Sequence, residues 1–325
     1  MRKITYSEAL NEAIKEEMKR DHRVFCLGED IGPHGGAYQV TRGLFDIFGK
    51  DRIRNAPISE LGFTGLAVGA AMKGLRPIVE YMYIDFSLLA TDQIINQAAK
   101  LRYMTGGKVQ IPIVFRTQGG AGRSAAGQHS QSLEALYYHI PGLKVVMPSS
   151  PYDAKGTLKA AIRDDNPVVF IEHKNLYHTE GEVPEDDYIV AIGSADVKRK
   201  GTDLTIVTYS NMVLKALAVA ERLKEKIDIE VIDLRTLVPL DIGIIMSSVK
   251  KTNKVVIIQE AIRRGGVASD ISSQIVEELF DYLDYPIKII AGQNTIIPYS
   301  HSLETQAIPN EELIEKEIKE FLGLN

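Results

Sequence analysis

An α/β chain of two doubly wound domains is predicted by two observations. Short apolar runs alternate with helix-patterned stretches along the sequence, and that alternation breaks once, between Asn175 and Asp203, before it restarts. Alternation of this kind argues for parallel sheets covered by helices. A length of 325 residues is long for one domain and comfortable for two.

The elements follow in order. The opening "MRKITYSEALNEAIKEEMKRD" is a helix pattern, with Ala9, Leu10, Ala13, Ile14 and Met18 on one face. "VFCLGED", "RPIVEYMY", "IPIVFRT", "LKVVMPSS" and "PVVFIEHK" are buried strands. "ELGFTGLAVGAAMKG", "LLATDQIINQAAKLRYM", "SLEALYYHI" and "YDAKGTLKAAIRDD" are the helices between them. The charged, turn-rich stretch from Asn175 to Asp203 is expected to be a linker with one hairpin. A second, smaller domain then runs through "LTIVTYS", "VLKALAVAERLKEK", "IDIEVIDL", "KVVIIQEA", "ASDISSQIVEELFDYL" and "IKIIAG". The domain boundaries expected are 1–186, a linker at 187–202, and 203–325.

Composition excludes several functions. Net charge is -5 with no basic block, which argues against nucleic acid as a partner. No apolar run is long enough to span a bilayer. The N-terminal stretch is acidic and lacks the apolar core of a targeting peptide. The single cysteine, Cys26, cannot form an internal disulfide and sits in a strand pattern, so a reducing, cytoplasmic setting is expected.

Three local patterns bear on chemistry. "FRTQGGAGRSAAG" contains Gly120-x-Gly122-x-x-Ala125, a loose dinucleotide fingerprint, but no acid stands at the offset a ribose would need. There is no P-loop, and no G-x-S-x-G elbow for a serine hydrolase. His129, in "GQHSQSLEALYYHIPG", lies between a glycine-rich loop and a helix start. It reads equally as a hydrogen-bonded neighbour of the helix N-terminus and as a proton donor or acceptor at the mouth of a site. His129 and His139 lack metal-ligand spacing.

Glu60 is the one acid in "NAPISELGFTGLAVGAAMKG". Carboxylates avoid apolar surroundings unless paired or hydrogen-bonded. Glu60 is either a helix N-terminal acid favoured by the dipole or an acid kept dry for proton transfer. Gly62, Gly65 and Gly69 share one helical face, where a second backbone could approach closely. Glu29 and Asp92 are further acids expected at core-adjacent positions. Sites of open α/β sheets lie beyond the carboxyl ends of the strands. That order puts Glu29, Glu60, Asp85, Phe86 and the segment from Gly119 to His129 at one edge.

Longer motifs carry a family resemblance. "APISELGFTGLAVGAAMKGLRPIVEYMY", "GQHSQSLEALYYHIPGLKVVMPSSPYDAKG" and "AIRDDNPVVFIEHKNLY" resemble the beta subunit of the thiamine-diphosphate-dependent first component of a 2-oxoacid dehydrogenase complex. "VIDLRTLVPLD" and "QEAIRRGGVASDI" are similar to that family's transketolase-type C-terminal domain. The resemblance implies a pyrimidine-binding N-terminal domain. It implies that Glu60 hydrogen-bonds a ring nitrogen of the cofactor's aminopyrimidine and so promotes loss of the thiazolium proton. It implies that Phe86 packs on that ring and that His129 holds substrate or assists acyl transfer to lipoamide. Glu29 and Asp92 then resemble members of an acidic chain linking paired active sites. Ile113, Ala161, Asp164 and Asn166 resemble a monovalent-cation site, with K⁺ as the candidate ion; hard cations take oxygen ligands, backbone carbonyls included. The bland reading of "RDDNP" is a helix exit and a proline turn.

The G-D-G motif that opens the Mg²⁺ and diphosphate signature is absent from the sequence. The resemblance therefore implies a separate alpha subunit that carries Mg²⁺, an α2β2 assembly, and delivery of the acyl group to the lipoyl domain of a dihydrolipoyl acyltransferase core. Branched-chain 2-oxoacids or pyruvate are the expected substrates. An acetoin dehydrogenase beta subunit and a non-catalytic assembly scaffold are the alternatives.

Overall fold

The computed structural model describes residues 1–324, which form two compact units. The first comprises 1–119 and 136–192, the second 120–135 and 193–325. The segment Gly120–Ala135 thus interrupts the first unit in sequence and clusters with the second.

In the first unit β1 (Arg2–Thr5) precedes the helix Tyr6–Arg20. Its sheet is built on β2 (Val24–Gly28), β3 (Ile53–Asn55), β4 (Arg76–Tyr81), β5 (Val114–Gly119), β6 (Lys144–Val146) and β7 (Val168–His173). The spatial order is β6-β7-β5-β4-β2-β3, and every pairing is parallel. All residues of β2, β4, β5 and β7 are buried, as befits strands covered on both faces. The helix Pro151–Arg163 starts from the N-cap Ser150, whose hydroxyl accepts from Asp153 N. It packs on Tyr6–Arg20. Lys155 and Lys159, both inaccessible, reach Glu12 and Glu16 across that contact.

The second unit holds β9 (Asp196–Arg199), β10 (Leu204–Thr208), β11 (Ile229–Asp233), a short β12 (Thr236–Val238), β13 (Val255–Ile262) and β14 (Lys288–Gly292). Its sheet runs β14-β13-β10-β11-β9. Only β9, at the edge, is antiparallel. Helices Asn211–Leu223 and Glu311–Leu322 cover the apolar cluster that includes Leu204, Ile206, Val219, Val231, Val256 and Ile314.

Three expectations are revised. The opening residues are not helical: Arg2–Thr5 pairs antiparallel with β8 (Glu180–Val183), and Thr5 caps the helix that starts at Tyr6. The stretch from Asn175 to Asp203 contains no hairpin. Its two strands join different sheets, β8 with β1 and β9 with β11. The run after Phe86 is not one regular helix: Leu88–Ala90 is a tight turn of 3₁₀ helix, Gln93–Ala98 is π-helical, and Ala99–Met104 is α-helical.

Candidate active site

Two acids stand just beyond neighbouring strand ends in the first unit. Glu29 follows β2, and Glu60 opens the helix Glu60–Met72 after β3 and the turn containing Pro57. β2 and β3 are paired in parallel, so both acids leave the sheet on its carboxyl edge. The Ala56 N–H donates to Gly28 O at 2.8 Å and ties the two exits together. A Cβ on Gly28 would stand 2.6 Å from the carbonyl oxygen of Glu80, so glycine is required where β2 presses on β4.

Glu60 is 5% exposed and Glu29 is 6% exposed. Burial raises the Glu29 carboxyl to about 6; the negative charge of Glu60 and that of Asp30 push the same way, and the Ser59 N–H opposes them. Oε1 of Glu29 is buried without a hydrogen bond. Behind Glu60, Phe63, Thr64, Ala67, Val68 and Ala71 turn inward, and the Thr64 hydroxyl lies 2.7 Å from that of Tyr81. The opposite face of the helix is bare: Leu61 and Leu66 are more than half exposed, as is Ile58 just before it. Of the three glycines on this helix, Gly65 faces the Gln93 side chain, 3.5 Å from an added Cβ, whereas an added Cβ at Gly69 would meet nothing within 4 Å.

Phe86 lies on the short helix Ile84–Ser87 after β4 and is half-buried. Its ring meets Tyr83 edge-on, centroids 5.5 Å apart. Asp92 departs from expectation. It is exposed on a helical surface, where its carboxylate accepts from the side chains of Asn96 at 2.7 Å and Gln97 at 3.3 Å, and these bonds hold its pKa down. One helical turn separates donor from acceptor, so this is local surface pairing.

The sheet interior holds a charge network that the sequence reading missed. Arg116 of β5 lies between Glu80 of β4 and Glu172 of β7, all buried. Tyr177 donates to Glu172 Oε2 at 2.5 Å. Burial and the second carboxylate raise the pKa of Glu80, while Arg116 opposes the shift. The signal was present in sequence: the apolar runs "RPIVEY", "VFRTQG" and "VVFIEH" each carry a charged residue that a parallel strand would bury.

The four residues read as a cation site cluster where the helix Pro151–Arg163 ends. Ala161 O accepts from Asp164 N at 3.2 Å, and Ile113 O accepts from Val168 N at 2.9 Å. Asp164 Oδ1 accepts from both the backbone and the side-chain amide of Asn166 at 2.9 Å. Arg76 already donates to Ile162 O, Arg163 O and Asp164 O, filling part of the helix's carbonyl end with positive charge. Lys144 pairs with Asp164 Oδ2 and Arg102 donates to Asn166 Oδ1, so the side-chain oxygens of this set already face the protein's own cations, and the carbonyls of Ile113 and Ala161 keep a second lone pair.

His129 belongs to the second unit, on the segment Gly120–Ala135, and is half-buried. Its N–H donates to Ala126 O at 3.3 Å. Beside it opens a cavity of about 700 Å³ lined by Gln128, Ser130, Ser132, Glu260 and Asn294, among others. Glu29 and Glu60 are thus brought together in the first unit with Phe86 on a nearby strand exit, whereas Asp92 is on the surface and His129 is carried by the other unit.

Comparison with known proteins decides the family. The transketolase pyrimidine-binding domain matches residues 2–180, and the transketolase C-terminal domain matches residues 193–314. The chain is 50% identical over 317 residues to the pyruvate dehydrogenase E1 component subunit beta of Rickettsia conorii, covering 97% of each chain. It is 46% identical over 321 residues to the 2-oxoisovalerate dehydrogenase subunit beta of Bacillus subtilis, covering 98% of each. The chain belongs to the transketolase-type E1 beta subunits. A Bacillus subtilis acetoin:2,6-dichlorophenolindophenol oxidoreductase subunit beta is similar as well, 47% identical over 335 residues, 99% of this chain and 98% of that one. Among solved structures, an inactive beta4 tetramer of a split-gene transketolase superposes with a TM-score of 0.80 over 99% of each chain at 22% identity, a likeness of fold.

For an E1 beta subunit the implied cofactor is thiamine diphosphate, and the residues present fit its aminopyrimidine half. Two buried acids, one of them with the unfilled acceptor Glu29 Oε1, suit a ring bearing an N–H donor. They do not fit the Mg²⁺-diphosphate half: G-D-G is missing from the sequence, and among the described residues no group of three or more His, Cys, Asp or Glu could hold a metal.

Proposed function

We propose that this E1 beta subunit supplies one wall of a thiamine-diphosphate site completed by an alpha subunit in an α2β2 enzyme. The assembled enzyme decarboxylates a branched-chain 2-oxoacid or pyruvate and reductively acylates the lipoyl group of a dihydrolipoyl acyltransferase core. When bound, thiamine diphosphate supplies the electron sink for decarboxylation. Glu60 accepts a hydrogen bond from the aminopyrimidine ring and shares its proton. A dry carboxylate does this well because little competing water surrounds it. Glu29, beside Glu60, holds or releases a proton near neutrality. Phe86 presents an aromatic wall. His129 orients substrate and assists acyl transfer. Ile113, Ala161, Asp164 and Asn166 offer oxygen to K⁺ at the exit of the helix Pro151–Arg163.

The observation that carries this reading is a pair of buried acids beyond adjacent strand ends, Glu60 at a helix start and Glu29 with its Oε1 buried and without a hydrogen bond. A buried acceptor left unpaired costs about 1–3 kcal/mol, a cost that a ligand donor offsets. The exposed apolar residues Ile58, Leu61 and Leu66 next to it support a subunit surface there. The decisive test is a panel of 2-oxoacids and acetoin with the pair of subunits coexpressed. Turnover of a 2-oxoacid with lipoyl acylation supports the proposal. Turnover of acetoin alone favours the acetoin-cleaving alternative, and none at all leaves the scaffold reading.

A further inference from the structure

We infer that Glu260 and Glu304 are positioning residues that set the shape of the His129 loop; the inference rests on the role proposed above for His129. The segment Gly120–Ala135 is not self-supporting. Gly120 and Gly122 have φ of 85° and 106°, and Ser124 and Ala126 adopt φ of 53° and 63°. For a non-glycine residue the left-handed region is strained and persists only where surroundings impose it. The surroundings here are two carboxylates of the same unit.

Glu304, on the helix His301–Ala307, is wholly buried and receives two backbone donors, Gly122 N on Oε1 and Ser124 N on Oε2, each at 2.8 Å. Glu260, in β13, is 7% exposed; its Oε1 receives Ala121 N at 2.8 Å and the Ser132 hydroxyl at 3.3 Å. Ala121 and Ser132 lie on opposite sides of His129, so one oxygen clasps both ends of the arch. Gly127 at its crown sits against Ile296, which a Cβ would approach to 2.6 Å. Hydrogen bonds from N–H groups to a carboxylate are about twice as strong as neutral ones. The arch that presents His129 is therefore fixed from β13 and from the helix His301–Ala307, elements remote from it in sequence.

The test uses the coexpressed enzyme carrying Glu304→Gln, Glu260→Gln or Ser132→Ala. Glutamine keeps the shape; at position 304 it turns an NH₂ toward the N–H of Gly122 or Ser124, and at position 260 it keeps an oxygen for Ala121 N but loses the charge that strengthens the bond. Misplacing a reacting group by about 1 Å costs on the order of 100-fold, so lipoyl acylation should fall by roughly 10- to 100-fold in Glu304→Gln. Decarboxylation read with an artificial electron acceptor should fall less than acylation, since it uses His129 only to orient substrate. Added to His129→Ala, the same change should cost at most about threefold more, because coupled residues are non-additive. Trypsin supplies a readout independent of activity: Arg123 is exposed within the loop, and cleavage after it should accelerate in both glutamine variants. Ser132→Ala, which removes only the neck bond, should show the same two effects more weakly and guards against a folding failure. Normal acylation in Glu304→Gln alongside a damaged His129→Ala enzyme would overturn the inference, as would additive losses. If the wild-type pair turns over no 2-oxoacid, the functional reading fails separately, and unchanged trypsin rates would then defeat the tether as well.

Discussion

Glu29 and Glu60 are buried neighbours beyond the carboxyl ends of adjacent parallel strands, and the negative charge of Glu60 is among the causes that raise the Glu29 carboxyl to about 6. In the unfolded chain that carboxyl titrates near its ordinary 4.5. Between these values the native state binds more protons than the unfolded state, so this group's contribution to stability falls as pH rises through the window. Replacing Glu29 by Gln should remove that slope and leave the chain more stable than wild type at pH 8, by an amount urea unfolding can resolve. Identical pH dependence in the two proteins between pH 4.5 and pH 7 would refute the assignment.

Glu60→Gln should leave the fold intact and almost abolish turnover of the assembled enzyme. The helix Glu60–Met72 starts from Ser59 without a side-chain cap bond, so an isosteric amide disturbs little locally. General acid-base groups contribute about 100- to 10,000-fold, and Glu60 is proposed to act before every later step. Steady-state rates with saturating cofactor, together with unchanged circular dichroism, are the measurements. Activity within about threefold of wild type would end the proposal.

Much of the fold was legible because parallel strands buried on both faces are largely apolar runs, as in β2 and in the apolar stretches of β4, β5 and β7 that surround their buried charges. Glu60 was legible for the same reason, as one charge in an apolar frame. What escaped was long-range pairing. Residues Arg2–Thr5 continue a helical pattern until β8, far along the chain, claims them as a strand. Asp92 looked core-adjacent because its neighbours Ile94 and Ala98 are buried, yet at its own helical angle it faces outward. Glu260 and Glu304 gave no local sign of their role, since their partners at Ala121, Gly122 and Ser124 lie more than a hundred residues away in sequence.

Arg116→Met should be among the most damaging changes in the first unit. The guanidinium lies between Glu80 and Glu172, and its removal leaves two buried carboxylates facing each other. Breaking a buried ion pair from one side costs about 3–5 kcal/mol. The loss should be largest near pH 8 and smaller near pH 5, because burial already raises the Glu80 carboxyl and protonation there relieves the orphaned charge. Urea unfolding at both pH values checks this. A loss below about 1 kcal/mol at pH 8 would mean that the network is solvated or repacks without its cation.

The last prediction concerns the chain without a partner. Thiamine diphosphate needs two holds, one on its ring and one on its diphosphate. Glu60 and Phe86 can serve the ring. No G-D-G motif is present to hold Mg²⁺ and the diphosphate, and among the described residues no cluster of three or more acidic, histidine or cysteine side chains substitutes for it. The purified chain should therefore bind thiamine diphosphate and Mg²⁺ weakly and decarboxylate nothing. It should also self-associate, because Ile58, Leu61 and Leu66 leave an apolar face on and beside the helix Glu60–Met72 exposed to water. Coexpression with an alpha subunit should give an α2β2 particle and restore cofactor binding. Calorimetry with cofactor and Mg²⁺, and light scattering with and without the partner, separate these outcomes. Micromolar binding together with decarboxylation by the lone chain would show that the diphosphate hold is built here from residues of another kind.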